Sequence, residues 1–411
     1  MESFIARQPI FNQKKQVVAY ELLFRNGVQN SAMLQTTADG NAATSNVMTN
    51  ALTLFGLENI TKGKKAFINM TRDVLISQVP LAFDSSSLVI EILEDVPADI
   101  DVVSVLSHYK TSGYSIAMDD VVANESRDAL VVLADIIKID FMLTSETEQQ
   151  QLAKRFLSEG KVLLAEKVET HAEFEAAVEL GYTLFQGYFF AKPELLSRKE
   201  VRANKLNSLR LIAALQGAEL ALDELEEVIK NDVAMSYRLL RYINSAFFSF
   251  RVEISSIRQA IVLLGNREFR KWASLIAMSG LTDDKPEELL VTGLVRARFF
   301  ELLAKGFQMG EQSDDLFLLG IFSILDGATD QTFETIFNEI SLKSSIRDAL
   351  LMNKGPYAAM MSAMRAFEAG DWMVFGQFVE SNVRIAGSIT ETYLAAVEWA
   401  NQSMTVIPTA G

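Results

Sequence analysis

Through about residue 195 the chain alternates short β-rich runs with helical stretches, and this rhythm constrains the fold more than any other feature. The first run, "SFIARQPIF" (3–11), is joined by the polar turn "NQKKQ" (12–16) to "VVAYELLFR" (17–25), a spacing that predicts an antiparallel hairpin. Then come "KAFINM" (65–70), "SLVIEIL" (87–93), "YSIAMDD" (114–120), "IIKID" (136–140), "KVLLAEKV" (161–168) and "TLFQGYFF" (183–190). Amphipathic stretches such as "THAEFEAAVELG" separate them, so the later strands are expected to be parallel. Eight strands suit a closed (β/α)8-type barrel in which the hairpin makes one strand antiparallel. A doubly wound open sheet is the alternative, but no glycine-rich phosphate loop follows the early strands.

Most of these runs carry a polar residue near the C-terminal end: Asn69, Glu91, Asp119 with Asp120, Lys138 with Asp140, Glu166 and Gln186. Glu21, in "AYELLFRN", belongs to the same set, because a carboxylate beside Leu22, Leu23 and Phe24 costs desolvation energy unless something pairs with it. In a (β/α) barrel the strand ends meet on one face, where active sites are assembled. A single acid there is commonly a turn or cap residue. Repetition over several strands points instead to a site for a hard cation, Mg²⁺ or Mn²⁺.

The rest of the sequence narrows the chemistry. With no cysteine, thiolate catalysis, disulfides and Cys-ligated metals are excluded. The two histidines, His108 and His171, lie in predicted helices and read as structural, so imidazole-based metal chemistry is absent from residues 172–411. A net charge of −15 carries no basic footprint for a nucleic-acid polymer, and "NREFRKW" (266–272) reads as a solvated helix face. An acidic protein can still hold a small phosphorylated ligand through bridging metal ions. No apolar run is long enough to span a bilayer, and "MESFIARQPIF" lacks a secretory pattern, so a cytoplasmic location is expected.

Beyond residue 197 apolar residues recur only at helical spacing, as in "VAMSYRLLRYINSAFFSF" and "SSIRQAIVLLGNREFRKWASLIAMSGL". The reading is therefore two domains, an α/β barrel over 1–196 and an all-helical domain over 197–411. A helical connection is expected near "AKPELLSRKEV" (191–201).

The first half resembles an EAL domain, the bacterial family that hydrolyses cyclic di-GMP to the linear dinucleotide. The second resembles an HDOD domain, a helical relative of the HD phosphohydrolases without their metal ligands. "RQPIF", "YELLFR", "FINM", "VIEILED", "AMDD", "IKID", "LLAEKVET" and "ELGYTLFQGYFFAKP" carry the first likeness, in family order. "NDVAMSYRLLRYINSAFF" (231–248) and "ISSIRQAIVLLG" (254–265) carry the second, and there Asn244 and Ser245 read as structural polar residues at a helix junction.

The resemblance implies a two-metal phosphodiesterase. Glu21, Asn69, Glu91, Asp119 and Asp120 would be metal ligands, with Glu166, Lys138 and Asp120 catalytic. Arg25, Gln8 and Gln186 would contact substrate, and Glu94 would brace a nearby loop. Cyclic di-GMP, an unidentified protein partner of the HDOD domain and a second copy in a homodimer are the implied partners. The chain departs from the family at Leu22 (alanine there), at Lys167 (glycine) and at "VVANES" (121–126), where the family has a glycine-containing aromatic loop. Valines at 121 and 122 cannot take glycine's positive-φ conformations without strain, so this loop is expected to follow another path. Hydrolysis at a weakened metal site, a catalytically silent cyclic di-GMP receptor and a protein-interaction scaffold are the three functions left open.

Overall fold

The computed structural model describes residues 3–26, 56–122, 127–192, 203–215, 222–244, 254, 256–340, 342–382, 385 and 387–407. The chain divides into two compact units. One is Met1–Phe190 together with Ala366–Ser381; the other is Ala191–Arg365 together with Asn382–Gly411. Residues 193–202, which hold most of the expected helical connection, lie outside the described set.

The first unit is a closed barrel of eight strands in sequence order. They are β1 (Ser3–Asn12), β2 (Val17–Asn26), β3 (Lys65–Met70), β4 (Leu88–Ile92), β5 (Ser115–Met118), β6 (Ile136–Asp140), β7 (Val162–Glu166) and β8 (Leu184–Gln186). As the hairpin spacing predicts, β1 runs antiparallel to both neighbours, β2 and β8, and every other pairing is parallel. The hairpin turn is held by Asn12, whose Oδ1 accepts from the amides of Lys14 at 2.9 Å and Gln16 at 3.0 Å.

Strand alternation fills the barrel. Ile10, Ala19, Phe67, Val89, Ala117, Ile136, Leu164 and Leu184, one from each strand, form a single apolar cluster. Two residues further along a strand the side chain points to the same side. Stepping by two toward the rim therefore gives Gln8 (β1 runs backwards), Glu21, Asn69, Glu91, Asp119, Lys138, Glu166 and Gln186. The polar set is the layer of the barrel interior above its apolar plug.

The helices that follow β6 and β7 begin at reciprocal caps. Ser145 and Glu148 open Glu146–Ser158, and Thr170 and Glu173 open His171–Glu179, so the turns just past the rim are fixed by local sequence. Several expected strands end early, "KVLLAEKV" among them at Glu166. The run "YSIAMDD" stops at Met118, and "TLFQGYFF" stops at Gln186, followed by a 3₁₀ turn over Tyr188–Ala191. At Gly187 the backbone turns with φ 143°, so close to Val168 that a Cβ would sit 2.1 Å from its carbonyl oxygen. Only glycine fits there.

The second unit is helical. Glu287–Leu303 is buried along most of its length and packs on Ser313–Phe322 and Ile389–Val406. The long helix Ile257–Leu281 starts at the Ser256 cap and is broken at Gly265, which takes φ 72°. Asn244 closes the helix Val233–Ile243: its Nδ2 donates to the carbonyls of Leu240 (2.9 Å) and Ile254 (2.8 Å), and its Oδ1 accepts from the Ile254 amide (2.7 Å). Ser245 lies outside the described residues. Among them no helix is long and apolar enough to cross a membrane.

Candidate functional site

Lys138 organises the ring. Its side chain is 1% exposed, and its Nζ lies 2.8 Å from Glu166 Oε1, 2.9 Å from Asp119 Oδ1 and 3.4 Å from Glu21 Oε2, and it also pairs with Glu91. Burial works against the ammonium, but four surrounding carboxylates more than offset it and hold its pKa well above the ordinary lysine value. The carboxylates divide. Burial, reinforced by the neighbouring Glu21 charge, pushes Glu91 well above the usual carboxylate range, and burial does the same to Glu166. Burial also acts on Asp119, but Lys138 wins there and the group is lowered.

One buried cation against four acids leaves excess negative charge that the low-dielectric interior tolerates poorly. The upward shifts of Glu91 and Glu166 are the response of the ring to that excess. A divalent cation would offset it directly. Two buried atoms support that reading: Asn69 Oδ1 and Glu91 Oε2 have no hydrogen-bond partner. Both are oxygens of the hard donor type that Mg²⁺ or Mn²⁺ prefers. Asn69 is fixed for the task, since its Nδ2 donates to Glu21 Oε1 at 2.9 Å. Asp119, Asp120 and Glu94 bring carboxylate oxygens within 4.8 Å of one another, a second place where a cation fits. Asp120 adopts a left-handed φ of 46°, and burial together with the Asp119 charge raises its pKa.

The remaining residues named from sequence fall as follows. Gln186 Nε2 donates to Glu21 Oε2 at 2.7 Å and to Gln8 Oε1, while its own Oε1 is buried without a partner. Gln8 has both ends of its amide engaged, because its Nε2 donates to the Glu368 carbonyl at 2.9 Å. Glu94 is exposed, and residues 123–126 of the loop after the Asp pair lie outside the described set. Arg25 sits in β2 opposite Phe4; its side chain is outside the described set as well. Neither Val121 nor Val122 takes a positive φ. Val121 is buried and donates its amide to the Lys138 carbonyl at 3.2 Å.

Two participants were not assigned a role from sequence. Lys167 keeps a left-handed φ of 53° and pairs its ammonium with Asp140, whose Oδ1 accepts from the amides of Met142 (2.7 Å) and Leu143 (3.0 Å). The signal for it was the lysine at a glycine position. Glu368 comes from the far end of the chain, and no local pattern marks it.

Comparison with known proteins agrees with this geometry. The EAL domain model matches residues 2–193 and the HDOD domain model residues 207–343. The chain belongs to the family of proteins that join an N-terminal EAL domain to a C-terminal HDOD domain. It is 34% identical over 412 residues to the uncharacterized protein YuxH of Bacillus subtilis, covering 98% of this chain and 99% of that one. It is 32% identical over 372 residues to the cyclic di-GMP phosphodiesterase CdgJ of Vibrio cholerae, covering 90% and 86%. Among solved structures, a standalone EAL protein from Vibrio cholerae in its c-di-GMP-bound form is similar at 24% identity, with a TM-score of 0.37, over 47% of this chain and 92% of that one.

Proposed function

We propose that the barrel hydrolyses cyclic di-GMP to linear pGpG at the Lys138 ring, with Mg²⁺ or Mn²⁺ held by Glu21, Asn69, Glu91, Asp119 and Asp120. The observation that carries this reading is the ring itself: four carboxylates about one buried ammonium, with Asn69 Oδ1 and Glu91 Oε2 buried and unpartnered. The similarity to CdgJ supports the choice of substrate. Divalent cations held there would supply charge neutralisation on the phosphate and a more acidic water.

The chain's own residues do the rest. Glu166, made more basic by burial, takes the proton of the attacking water. The water oxygen bonds to phosphorus, the P–O3′ bond breaks, and the leaving 3′ oxygen takes a proton from solvent while Glu166 releases the one it took, giving a 5′-phosphate and a 3′-hydroxyl. Lys138 offsets charge building on the phosphoryl oxygens. Asp120 completes the acidic rim beside Asp119. Gln186 Oε1, buried without a partner, adds a further acceptor to the ring. The helical unit, with no histidine after His171, serves regulation or protein interaction rather than hydrolysis.

The test is incubation of the purified protein with cyclic di-GMP and Mn²⁺, following the linear product by chromatography, beside Glu21→Ala. Product from the unaltered chain and a loss of at least roughly a hundredfold in the variant is expected. Tight binding without product from either chain would leave a silent receptor, and neither binding nor product a scaffold.

A further inference from the structure

The ring is tied to a segment that lies far from it in sequence. Ala366–Ser381 belongs to the first unit, whereas the chain on either side of it, Ala191–Arg365 and Asn382–Gly411, belongs to the second. The segment is well anchored on the barrel. Phe375, 3% exposed, meets Phe4 of β1 edge-on at 5.5 Å and lies 4.8 Å from Phe367. Tyr188, just past β8, donates its hydroxyl to Glu368 Oε2 at 2.8 Å.

From there a continuous line of hydrogen bonds enters the site. Gln8 Nε2 donates to the Glu368 carbonyl, Gln186 Nε2 donates to Gln8 Oε1, and the same Gln186 Nε2 donates to Glu21 Oε2. The two ends of this line are a carbonyl and a carboxylate, which in this ring can only accept. That requirement fixes the orientation of both amides between them. Without the Glu368 carbonyl, the Gln8 amide is held only from the Gln186 side, and the acceptor it offers Gln186 is less firmly placed.

We propose that Ala366–Ser381 is a positioning element of the barrel site, acting through Gln8 and Gln186 to set Glu21 for a divalent cation. Because the chain enters and leaves this segment from the helical unit, it is also a covalent route by which a change there reaches the ring. Gln8 is on this view a positioning residue. The proposal rests on the reading of the ring as a cation site.

The experiment titrates Mn²⁺ into metal-free full-length protein and counts free ion by electron paramagnetic resonance, with hydrolysis followed separately. Variants are Phe375→Ala, Gln8→Ala and the pair. A hydrogen bond to a charged group is worth roughly a tenfold change in affinity. Each single variant is expected to weaken Mn²⁺ binding by about that factor, and the pair by no more than either alone, because both cut the same line. In Phe375→Ala the Mn²⁺ needed for half-maximal hydrolysis rises while kcat at saturating Mn²⁺ stays within about twofold. Tyr188→Phe, which removes a single hydroxyl and leaves the packing, is the control against misfolding; it should weaken binding by a few-fold. Unaltered Mn²⁺ affinity in both Phe375→Ala and Tyr188→Phe, or additive losses in the pair, overturns the proposal. A parent chain that binds Mn²⁺ but hydrolyses nothing overturns the phosphodiesterase reading alone, whereas one that binds no Mn²⁺ overturns both.

Discussion

At the scale of single residues, the site depends on backbone positions as much as on charged groups. Gly187 follows Gln186 directly, and a methyl group there would lie 2.1 Å from the Val168 oxygen and 2.5 Å from its nitrogen. Gly187→Ala should therefore cost on the order of 4 kcal/mol or more, read as a lowered urea midpoint, since main chain on both sides must move. Asp326 offers a charge test away from the ring. Burial raises its pKa to about 6, against the bond its Oδ1 accepts from the Gly327 amide at 2.9 Å. A carboxyl with a raised native pKa binds more protons folded than unfolded, so its contribution to stability is intact below about pH 4 and falls as pH rises to about 6. Asp326→Asn removes that loss. It should gain roughly 2–3 kcal/mol at pH 7 and almost nothing at pH 4, measured by urea unfolding at both values.

At the scale of elements, the barrel strands were the most legible part of the sequence and the loops the least. A period of two links each apolar interior residue to its polar partner, so Phe67 predicts Asn69, Val89 predicts Glu91 and Ile136 predicts Lys138. The pattern survives because a misregistered strand would turn its whole apolar set outward. It also explains why Glu21 lies within β2 rather than at its end: β2 runs on to Asn26, but its ladder with β3 covers only Ala19 to Leu22. Strand ends were overestimated at "YSIAMDD" and "TLFQGYFF", since a left-handed Asp120 and the turn at Gly187 override β propensity. The helical unit gave its periodicity but not its joints. Asn244, however, was readable as structural, and it bridges to Ile254 in both directions. Asn244→Ala should cost roughly 2 kcal/mol in chemical unfolding, with Asn244→Asp recovering only the part owed to the Ile254 amide.

At the scale of the molecule, the contact between Gln8 and Glu368 was beyond sequence reading, because it joins residues 360 positions apart and leaves no local periodicity. Composition was decisive in the opposite direction. With neither cysteine nor a histidine after His171, the proposed hydrolysis would draw on carboxylates, an amide pair and a lysine, and these converge on one end of the barrel. On the proposed function, this ring becomes a phosphodiesterase when divalent cations offset its excess negative charge. The direct measurement is product formation from cyclic di-GMP by protein stripped with EDTA, before and after Mn²⁺ is restored. No linear product is expected from the stripped protein, with recovery on adding Mn²⁺ that is absent in Glu21→Ala. Equal product with and without Mn²⁺, or none with Mn²⁺ demonstrably bound, would contradict it.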